Sequence, residues 1–280
     1  MAMTSRLIEL YPEPGRSRDL EGTWLDQQVH RLGRPGAPIV YGSFVASLDG
    51  RIALADPATG AFALPEAIVT RHDFRLLQEL MAQADCLITH GGYLRAIASG
   101  ALGDILQVGM SQGTEDLARW RAEQGFASQP GIVVASATLD FEVPGSVRDH
   151  AQPVTVVTVE NASAERIRRF ERDGFHVIVA GGGSHVEGVP LAEIVANLGY
   201  RSAYLAAGPR MLDTMLRQRR LGRLFLTLTH QIVGGERFAT LTTGAALGSA
   251  GHLKLRTLYY DSALPKGAGQ WFSQFEPSVD

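Results

Sequence analysis

The chain has 280 residues, of which 45% are hydrophobic and 20% charged, with a net charge of -3 and a pI near 6.2. This is an ordinary soluble composition with enough apolar side chains for a core. Nothing in the charge balance suggests nucleic acid as a partner, because nucleic-acid binding usually needs a clustered basic face.

The chain has one cysteine, Cys86, so no intramolecular disulfide can form, which fits a reducing compartment. We interpret Cys86, in the apolar run DCLIT, as a core residue rather than a nucleophile. The first twenty residues contain no continuous apolar stretch, and no run approaches the ~20 residues of a membrane helix. We therefore expect a cytoplasmic protein without a membrane partner.

Residues 1–37 are rich in proline, glycine and arginine, and we interpret them as an N-terminal arm with a short helix around Trp24 to Leu32. After Pro38, short apolar runs alternate with amphipathic helical patterns. The predicted strands are 38–47, 85–90, 131–136, 153–159, 175–180, 202–207, 223–233 and 252–260. The predicted helices are 69–83, 114–124, 163–173, 190–198 and 209–220.

This alternation of strands and helices predicts an α/β sheet that helices cover on both faces. The runs IVVAS and VIVA are apolar throughout, which is typical of central strands. The helix at 209–220 is the best marked, with Pro209 in its first turn and Gly222 just past its end. Arg217, Arg219 and Arg220 then fall in its last turns, as a solvated helix end.

Several common chemistries are excluded by the absence of their motifs. The sequence contains no Walker A loop, no G-x-G-x-x-G and no G-x-S-x-G. It also contains no C-x-x-C and no H-E-x-x-H, and its eight histidines lie far apart. We therefore predict no metal site.

Three glycine-containing stretches are candidates for ligand binding. HGGYL (90–94) follows a predicted strand and is interpreted mainly as a β-to-α turn, and VAGGGSHVEG (179–188) mainly as a flexible loop. YLAAGPRML (204–212) is the strongest candidate. Its strand-glycine-helix junction predicts free N–H groups at the carboxyl edge of the sheet, where open α/β sheets bind ligands.

A fourth stretch, VASLDGRIAL (45–54), interrupts an apolar strand with Ser-Leu-Asp-Gly. Asp49-Gly50 is a strong β-turn signal. Asp49 can orient such a turn by bonding its own backbone, so a structural role is favoured over proton transfer.

In order along the chain, five stretches resemble the reductase domain of the bacterial riboflavin-biosynthesis deaminase–reductase. They are VASLDGRIAL, ADCLITHGG, GIVVASATLDFEVPG, GVPLAEIVANLGYRSAYLAAGPRML and LFLTLTHQIVGGE. The resemblance implies a reductase domain over 38–280, with a dihydrofolate-reductase-like fold: a mixed, mostly parallel sheet flanked by helices. The deaminase half needs two cysteines for zinc, so the single cysteine implies a stand-alone reductase module.

The resemblance also implies an NADPH-dependent homodimer that reduces the ribosyl group of a 5-aminouracil phosphate by hydride transfer. The residues that match the family's cofactor contacts are Ala46, Gly91, Gly92, Ser136, Gly208, Pro209, Arg210, Met211 and Leu212. A small Ala46 would let the nicotinamide approach the strand. Asp49 is the catalytic candidate, and His90 and Asp104 are further candidates for the proton donor.

Three departures from the family pattern bear on the substrate. Ala206 stands where the family has a substrate-contacting glutamate, Tyr93 replaces a threonine, and no arginine stands at the place expected for the substrate phosphate, since Arg95 is out of register. These departures leave two alternatives: a reductase of another substrate such as a pterin, or a non-catalytic nucleotide-binding relative. An unrelated α/β enzyme is a third, and an all-parallel sheet would favour it.

Overall fold

The computed structural model describes residues 5–262 and 269–278. The chain divides into two compact units. The first comprises Met1–Gln28, Tyr41–Leu80 and Gly208–Asp280, and the second comprises Val29–Val40 and Met81–Ala207. Within the described ranges, no helix combines the length and the apolar character needed to cross a membrane.

Each strand and helix predicted after Pro38 has a counterpart in the structure, which adds strands at 53–55, 62–63, 238–239 and 270–277 and a short helix at 145–149. The strands are β1 (Arg6–Tyr11), β2 (Ser17–Asp19), β3 (Ile39–Ser47), β4 (Ala53–Ala55), β5 (Phe62–Ala63), β6 (Cys86–His90), β7 (Gly131–Ala135), β8 (Val154–Thr158), β9 (His176–Val179), β10 (Ser202–Leu205), β11 (Arg223–Thr229), β12 (Phe238–Ala239), β13 (Leu253–Asp261) and β14 (Gln270–Pro277). The helices are α1 (Arg71–Ala82), α2 (Gly91–Ala98), α3 (Glu115–Glu123), α4 (Gly145–Asp149), α5 (Ala164–Arg172), α6 (Gly188–Asn197) and α7 (Pro209–Arg217).

In the first unit the strand order is β2, β1, β13, β14, β11, β3. The pair of β11 and β3 is parallel, and the other neighbours are antiparallel. A separate small sheet orders β12, β4, β5. The core includes Trp24, which packs edge-on against Phe272 with ring centroids 5.0 Å apart, and Tyr41, whose hydroxyl donates to the Leu80 carbonyl at 2.9 Å.

The segment interpreted as an N-terminal arm contributes β1 and β2 to this sheet, with β1 lying between β2 and β13. Its predicted helix is wrong for residues 24–28, which form turns. Gln28 has a φ of 47°, which interrupts helical geometry, and only Val29–Leu32 form a short 3-10 helix. The division at residue 37 stays a prediction.

In the second unit the strand order is β10, β6, β7, β8, β9, and all these neighbours are parallel. Helices connect successive strands, as parallel pairing requires. All five residues of β7 are buried, as its continuous apolar sequence predicts. Cys86 in β6 is fully buried, and this burial raises the pKa of its thiol well above the ordinary value.

The prediction of a mixed, mostly parallel sheet flanked by helices is confirmed. Antiparallel pairs such as β13 with β14 rule out the all-parallel alternative. The predicted end of the last helix is wrong: α7 stops at Arg217, and Arg219 rather than Gly222 has the positive φ, 53°. Only one of the three terminal arginines therefore lies in the helix.

Candidate functional site

The predicted site residues fall into both units. The first unit contains Ala46, Asp49, Gly208, Pro209, Arg210, Met211 and Leu212. The second unit contains Gly91, Gly92 and Ser136.

The turn predicted after β3 is present in the first unit. The amide of Gly50 donates to the Ser47 carbonyl at 2.9 Å and closes a β-turn. Gly50 has a φ of 79°, a left-handed conformation that glycine adopts without steric cost because it has no Cβ. The amide of Ser47 in turn bonds the Arg51 carbonyl at 2.9 Å, so the chain reverses tightly at the carboxyl end of β3.

The Asp49 carboxylate holds this turn against the loop after β11. Its oxygens accept from the Ser47 hydroxyl at 2.5 Å and from the amides of Val233 and Gly234 at 3.3 and 3.0 Å. Arg51 adds an ion pair at 3.2 Å. The Ser47 hydroxyl, followed by these amides and Arg51, lowers the pKa of Asp49 to about 2.

At neutral pH Asp49 is therefore ionised and can only accept hydrogen bonds. A group in this state orients loops more readily than it donates a proton. The contacts favour the structural role, and a catalytic role for Asp49 stays a prediction.

The two faces of β3 differ in what they contain. Ala46 is buried and pairs in register with Leu228 of β11. The preceding residue, Val45, is half-buried and pairs with Thr227, on the other face. The predicted nicotinamide contact of Ala46 stays a prediction.

The face of Thr227 holds a residue that sequence analysis missed, Asp73 in the first turn of α1. Thr70 caps this helix, and its hydroxyl oxygen accepts from the Asp73 amide at 3.0 Å. Burial raises the pKa of the Asp73 carboxyl to about 6. The Thr227 hydroxyl offsets part of this shift, although it forms no hydrogen bond of standard geometry within the described residues.

Asp73 is thus a carboxyl that is partly protonated near neutral pH. Groups that exchange protons in catalysis work best when their pKa lies near the working pH. A titratable group shifted in this way is a candidate for function, because pKa values of this kind cluster at active sites.

The N-terminus of α7 has the features of an anion site. Gly208 is its N-cap and Pro209 the first helical residue, and no side chain of the described residues caps the helix. The space where a Cβ on Gly208 would lie contains no atom of the described residues within 4 Å. Arg210 is exposed in the first turn, whereas Leu212 is buried in the core. Pro209 has no N–H, and the amides of Met211 and Leu212 donate to the Gly208 carbonyl at 3.1 and 3.3 Å. The amides of Gly208 and Arg210, the helix dipole and the Arg210 guanidinium are the groups that suit a phosphate.

In the second unit the structure brings Gly91 and Ser136 together. A Cβ on Gly91 would lie 2.9 Å from the Ser136 hydroxyl oxygen and 2.8 Å from the ring of Phe141. The same hydroxyl oxygen accepts from the Leu139 amide at 3.0 Å and orders the loop after β7. The absence of a side chain on Gly91 therefore allows α2 to begin directly beside this loop.

Gly91→Ala is expected to destabilise the protein by about 1–3 kcal/mol, since both contacts fall below normal van der Waals separation. Gly103→Ala is the matched control, because a Cβ there would meet nothing within 4 Å. Denaturant unfolding of both variants measures the difference. Equal stability of the two variants would contradict the close packing of Gly91.

His90 has a structural task at the start of α2. Its ring Nδ1 accepts from the Tyr93 amide at 3.3 Å and caps the helix. Burial, followed by the charge of Arg95, lowers the pKa of His90, so the ring is neutral at pH 7. Gly92 packs against this ring, because a Cβ there would lie 2.9 Å from Nδ1.

Tyr93 and Asp104 order the loop that departs from the family pattern. The Tyr93 hydroxyl donates to the Gly103 carbonyl at 2.9 Å and accepts from the Ile105 amide at 3.2 Å. Asp104 accepts from the Leu106 amide at 3.0 Å and from the hydroxyl of Ser146. These contacts favour a structural task for Asp104 over proton donation.

Three arginines converge on the loop after β7. Arg95 donates to the Asp140 carbonyl at 2.7 Å, Arg166 to the Thr138 carbonyl at 2.7 Å, and Arg169 to two further carbonyls of this loop. Arg166 also lies 3.9 Å from a carboxylate oxygen of Asp140 in the same loop, so part of the positive charge is balanced there. These bonds hold the loop that follows Ser136.

The glycine-rich stretch 179–188 lies close to carboxylates. A Cβ on Gly182 would lie 3.4 Å from a Glu160 carboxylate oxygen, and one on Gly183 would lie 3.8 Å from a Glu187 carboxylate oxygen. Carboxylates at these distances repel phosphate. The interpretation of this stretch as a loop is therefore favoured over a phosphate cradle.

A family model described as the RibD C-terminal domain matches residues 38–261. The chain belongs to this family. The RibD C-terminal domain is a reductase family, which agrees with the resemblance in sequence and supports an oxidoreductase. No curated protein sequence matches the chain.

Solved structures share the fold. A pyrimidine reductase-like protein from Corynebacterium diphtheriae matches with a TM-score of 0.62 at 18% identity, covering 88% of this chain and 94% of its own. RibD of Acinetobacter baumannii matches with a TM-score of 0.57 at 14% identity, covering 87% of this chain and 58% of its own. The riboflavin biosynthesis reductase of Saccharomyces cerevisiae matches with a TM-score of 0.54 at 13% identity. The match covers 91% of this chain and 98% of the yeast chain.

At these identities the comparisons show the fold alone. The chain spans 58% of the length of the Acinetobacter protein. The reductase-domain fold that was predicted from sequence, a mixed, mostly parallel sheet flanked by helices, agrees with this family.

Proposed function

We propose that the protein is an NADPH-dependent reductase of the pyrimidine reductase type, which transfers hydride to a small heterocycle-linked substrate. Membership of the RibD C-terminal domain family supports a reductase. The observation that most supports catalysis is the raised pKa of the Asp73 carboxyl, about 6. This carboxyl lies on the same face of the first unit's sheet as Thr227 and Val45.

The chemistry divides between cofactor and protein. Bound NADPH supplies the hydride. Reduction of a C=O or C=N bond also adds a proton at the heteroatom, and Asp73 is the proposed donor of this proton. Its carboxyl gives the proton up, becomes a carboxylate and is reprotonated from solvent before the next turnover.

The residues at the N-terminus of α7 fit a phosphate of the cofactor. Gly208 leaves the approach open, its own amide and that of Arg210 provide N–H donors, and the Arg210 side chain adds positive charge. The preference for NADPH over NADH is proposed from the resemblance to the reductase domain, and further contacts are proposed in the second unit. Gly91, Gly92 and Ser136 remain proposed cofactor contacts in that unit.

The substrate is proposed to be 5-amino-6-(5-phosphoribosylamino)uracil or a heterocycle related to it. The loop held by Tyr93 favours a related heterocycle over the aminouracil phosphate. This tyrosine occupies the place of the family threonine and forms hydrogen bonds with Gly103 and Ile105. A pterin is the related heterocycle to test. Asp73 favours either reductase over a non-catalytic nucleotide-binding relative.

A thermal-shift titration with NADPH and with NADH tests the cofactor. A ligand that binds only the native state stabilises it by about 2.7 kcal/mol at 100 times its Kd. We expect the melting temperature to rise with NADPH and to rise much less with NADH at the same concentration. The absence of a shift with either nucleotide would contradict an NADPH-dependent reductase.

We also propose a homodimer that forms through the sheet of the first unit. Ile8, Tyr260, Trp271 and Leu228 lie in one row across β1, β13, β14 and β11. Ile8 is 40% exposed, and the other three are half-buried. An apolar row left partly open on one face suits a second copy of the chain.

Light scattering of the wild type and of Ile8→Glu tests the proposed homodimer. The wild type is expected to be a dimer and the variant a monomer.

A further inference from the structure

The first turn of α1 is attached to the sheet of the first unit by side chains that the reaction above does not use. Thr70, the residue that caps the helix, donates its hydroxyl proton to the side-chain oxygen of Gln270 at 3.2 Å. The same hydroxyl oxygen accepts the amide of Asp73. The backbone of Asp73 is thus tied through Thr70 to the start of β14.

A second attachment lies two residues further along the helix. The His72 ring Nδ1 lies 2.5 Å from an oxygen of Asp261, at the end of β13. The same Asp261 oxygen accepts from the side-chain amide of Gln270 at 2.9 Å. Asp261 and Gln270 are both fully buried and face each other in register across β13 and β14.

Thr70, His72, Asp261 and Gln270 therefore form one hydrogen-bonded group, which we call the α1 clamp. Two points of the same helical turn meet one cross-strand pair, so the turn can neither slide nor rotate without breaking a buried hydrogen bond. Asp73 follows His72 directly. Its carboxyl faces Thr227, burial raises its pKa, and that hydroxyl offsets part of the rise.

We propose that the α1 clamp positions Asp73, holding its carboxyl in the desolvated place beside Thr227 where it can carry a proton to the substrate. This inference rests on the proposed function for its role in catalysis. The four clamp residues act through Asp73 and are positioning residues.

The test measures the titration of Asp73 by NMR of the full chain with ¹³C-labelled aspartate side chains. Comparison with Asp73→Asn assigns the resonance. His72→Leu and Gln270→Leu each remove one attachment, and water then reaches the carboxyl more easily. We expect the pKa of Asp73 to fall by about one unit or more from about 6 toward 3.8 in both variants.

His72→Gln keeps an N–H donor toward Asp261 and is expected to retain most of the wild-type titration. Arg75→Gln is the matched control on the same helix, since it breaks the ion pair with Glu79 at 2.7 Å but leaves the clamp intact. This control is expected to lower the melting temperature without moving the Asp73 resonance.

The inference is overturned if His72→Leu and Gln270→Leu lower the melting temperature while Asp73 titrates as in the wild type. Should Gln270→Leu fail to fold, Thr70→Val removes the same attachment at a half-buried position. The titration needs neither cofactor nor substrate. A failure of NADPH binding would therefore contradict the proposed function, whereas the titration would still test the α1 clamp.

Discussion

Replacing Asp73 by asparagine is expected to slow the proposed reduction by about 10²–10⁴-fold while making the folded protein more stable at pH 8. Asparagine is close in size to aspartate but carries no titratable proton. The substitution therefore preserves the packing and removes the proton donor. NADPH binding, measured by thermal shift, is expected to persist. This combination separates loss of chemistry from loss of structure.

The stability gain follows from the sign of the pKa shift. The pKa of Asp73 is raised from 3.8 to about 6 on folding, so the folded state binds its proton more tightly. Stability is therefore lost as pH rises from about 4 to about 6, and at pH 8 the buried charge costs up to about 3 kcal/mol. Asparagine avoids this cost at pH 8 and gains nothing below pH 4.

Urea unfolding at pH 4 and pH 8 checks this prediction. Asp149→Asn is the control, since this aspartate lies on the exposed surface at the end of α4. It is expected to leave the pH dependence unchanged. A wild-type rate of reduction in Asp73→Asn, or a loss of stability at pH 8, would contradict the role given to this carboxyl.

Gly208→Leu is expected to weaken NADPH binding by about 100-fold, or roughly 2.7 kcal/mol, with little effect on the fold. Gly208 has a φ of -81°, which any residue adopts, and a Cβ there would meet nothing within 4 Å among the described residues. The backbone and the first side-chain atom of a larger residue therefore fit without a clash. The side chain would fill the approach to the free amides of α7, where the phosphate is proposed to bind.

Isothermal titration calorimetry with NADPH measures this loss. Gly145→Leu is the control, because a Cβ at this exposed helix start also meets nothing within 4 Å. It is expected to bind NADPH as the wild type does. Equal affinity in Gly208→Leu would remove α7 from the cofactor site.

Asp73 shows why part of the site could not be predicted from sequence. Thr70-x-x-Asp73 before an apolar run has the spacing of a capping box, whose acidic residue turns back to the helix start. The structure uses Thr70 as the cap, but the Asp73 carboxyl faces Thr227 instead. Position 227 is 154 residues further along the chain, so only the tertiary fold reveals the pair.

The second unit could be predicted well because local signals agreed with the fold. Its apolar strands and amphipathic helices each match an observed element within a few residues, as with β7 and α5. The first unit was harder. The pairing of β1 with β13 joins segments far apart in the sequence. The strand β1 is short and half-exposed, and it is followed by proline and glycine residues that suggested an arm.

The face of β3 also required the structure. Period-two alternation means that a shift of one residue moves every side chain to the other face. The cofactor contact of Ala46 stays a prediction, and the register with β11 places Val45 rather than Ala46 on the face that holds Thr227. No local feature of VASLDG decides between the two faces.

The most direct test of a reductase in which Asp73 supplies the proton is the pH dependence of NADPH oxidation. The assay mixes the wild-type protein with 5-amino-6-(5-phosphoribosylamino)uracil and, in parallel, with a pterin. We predict oxidation that depends on one of these substrates and that falls as pH rises through about 6, as Asp73 loses its proton. No substrate-dependent oxidation, or a rate unchanged across that range, would contradict it.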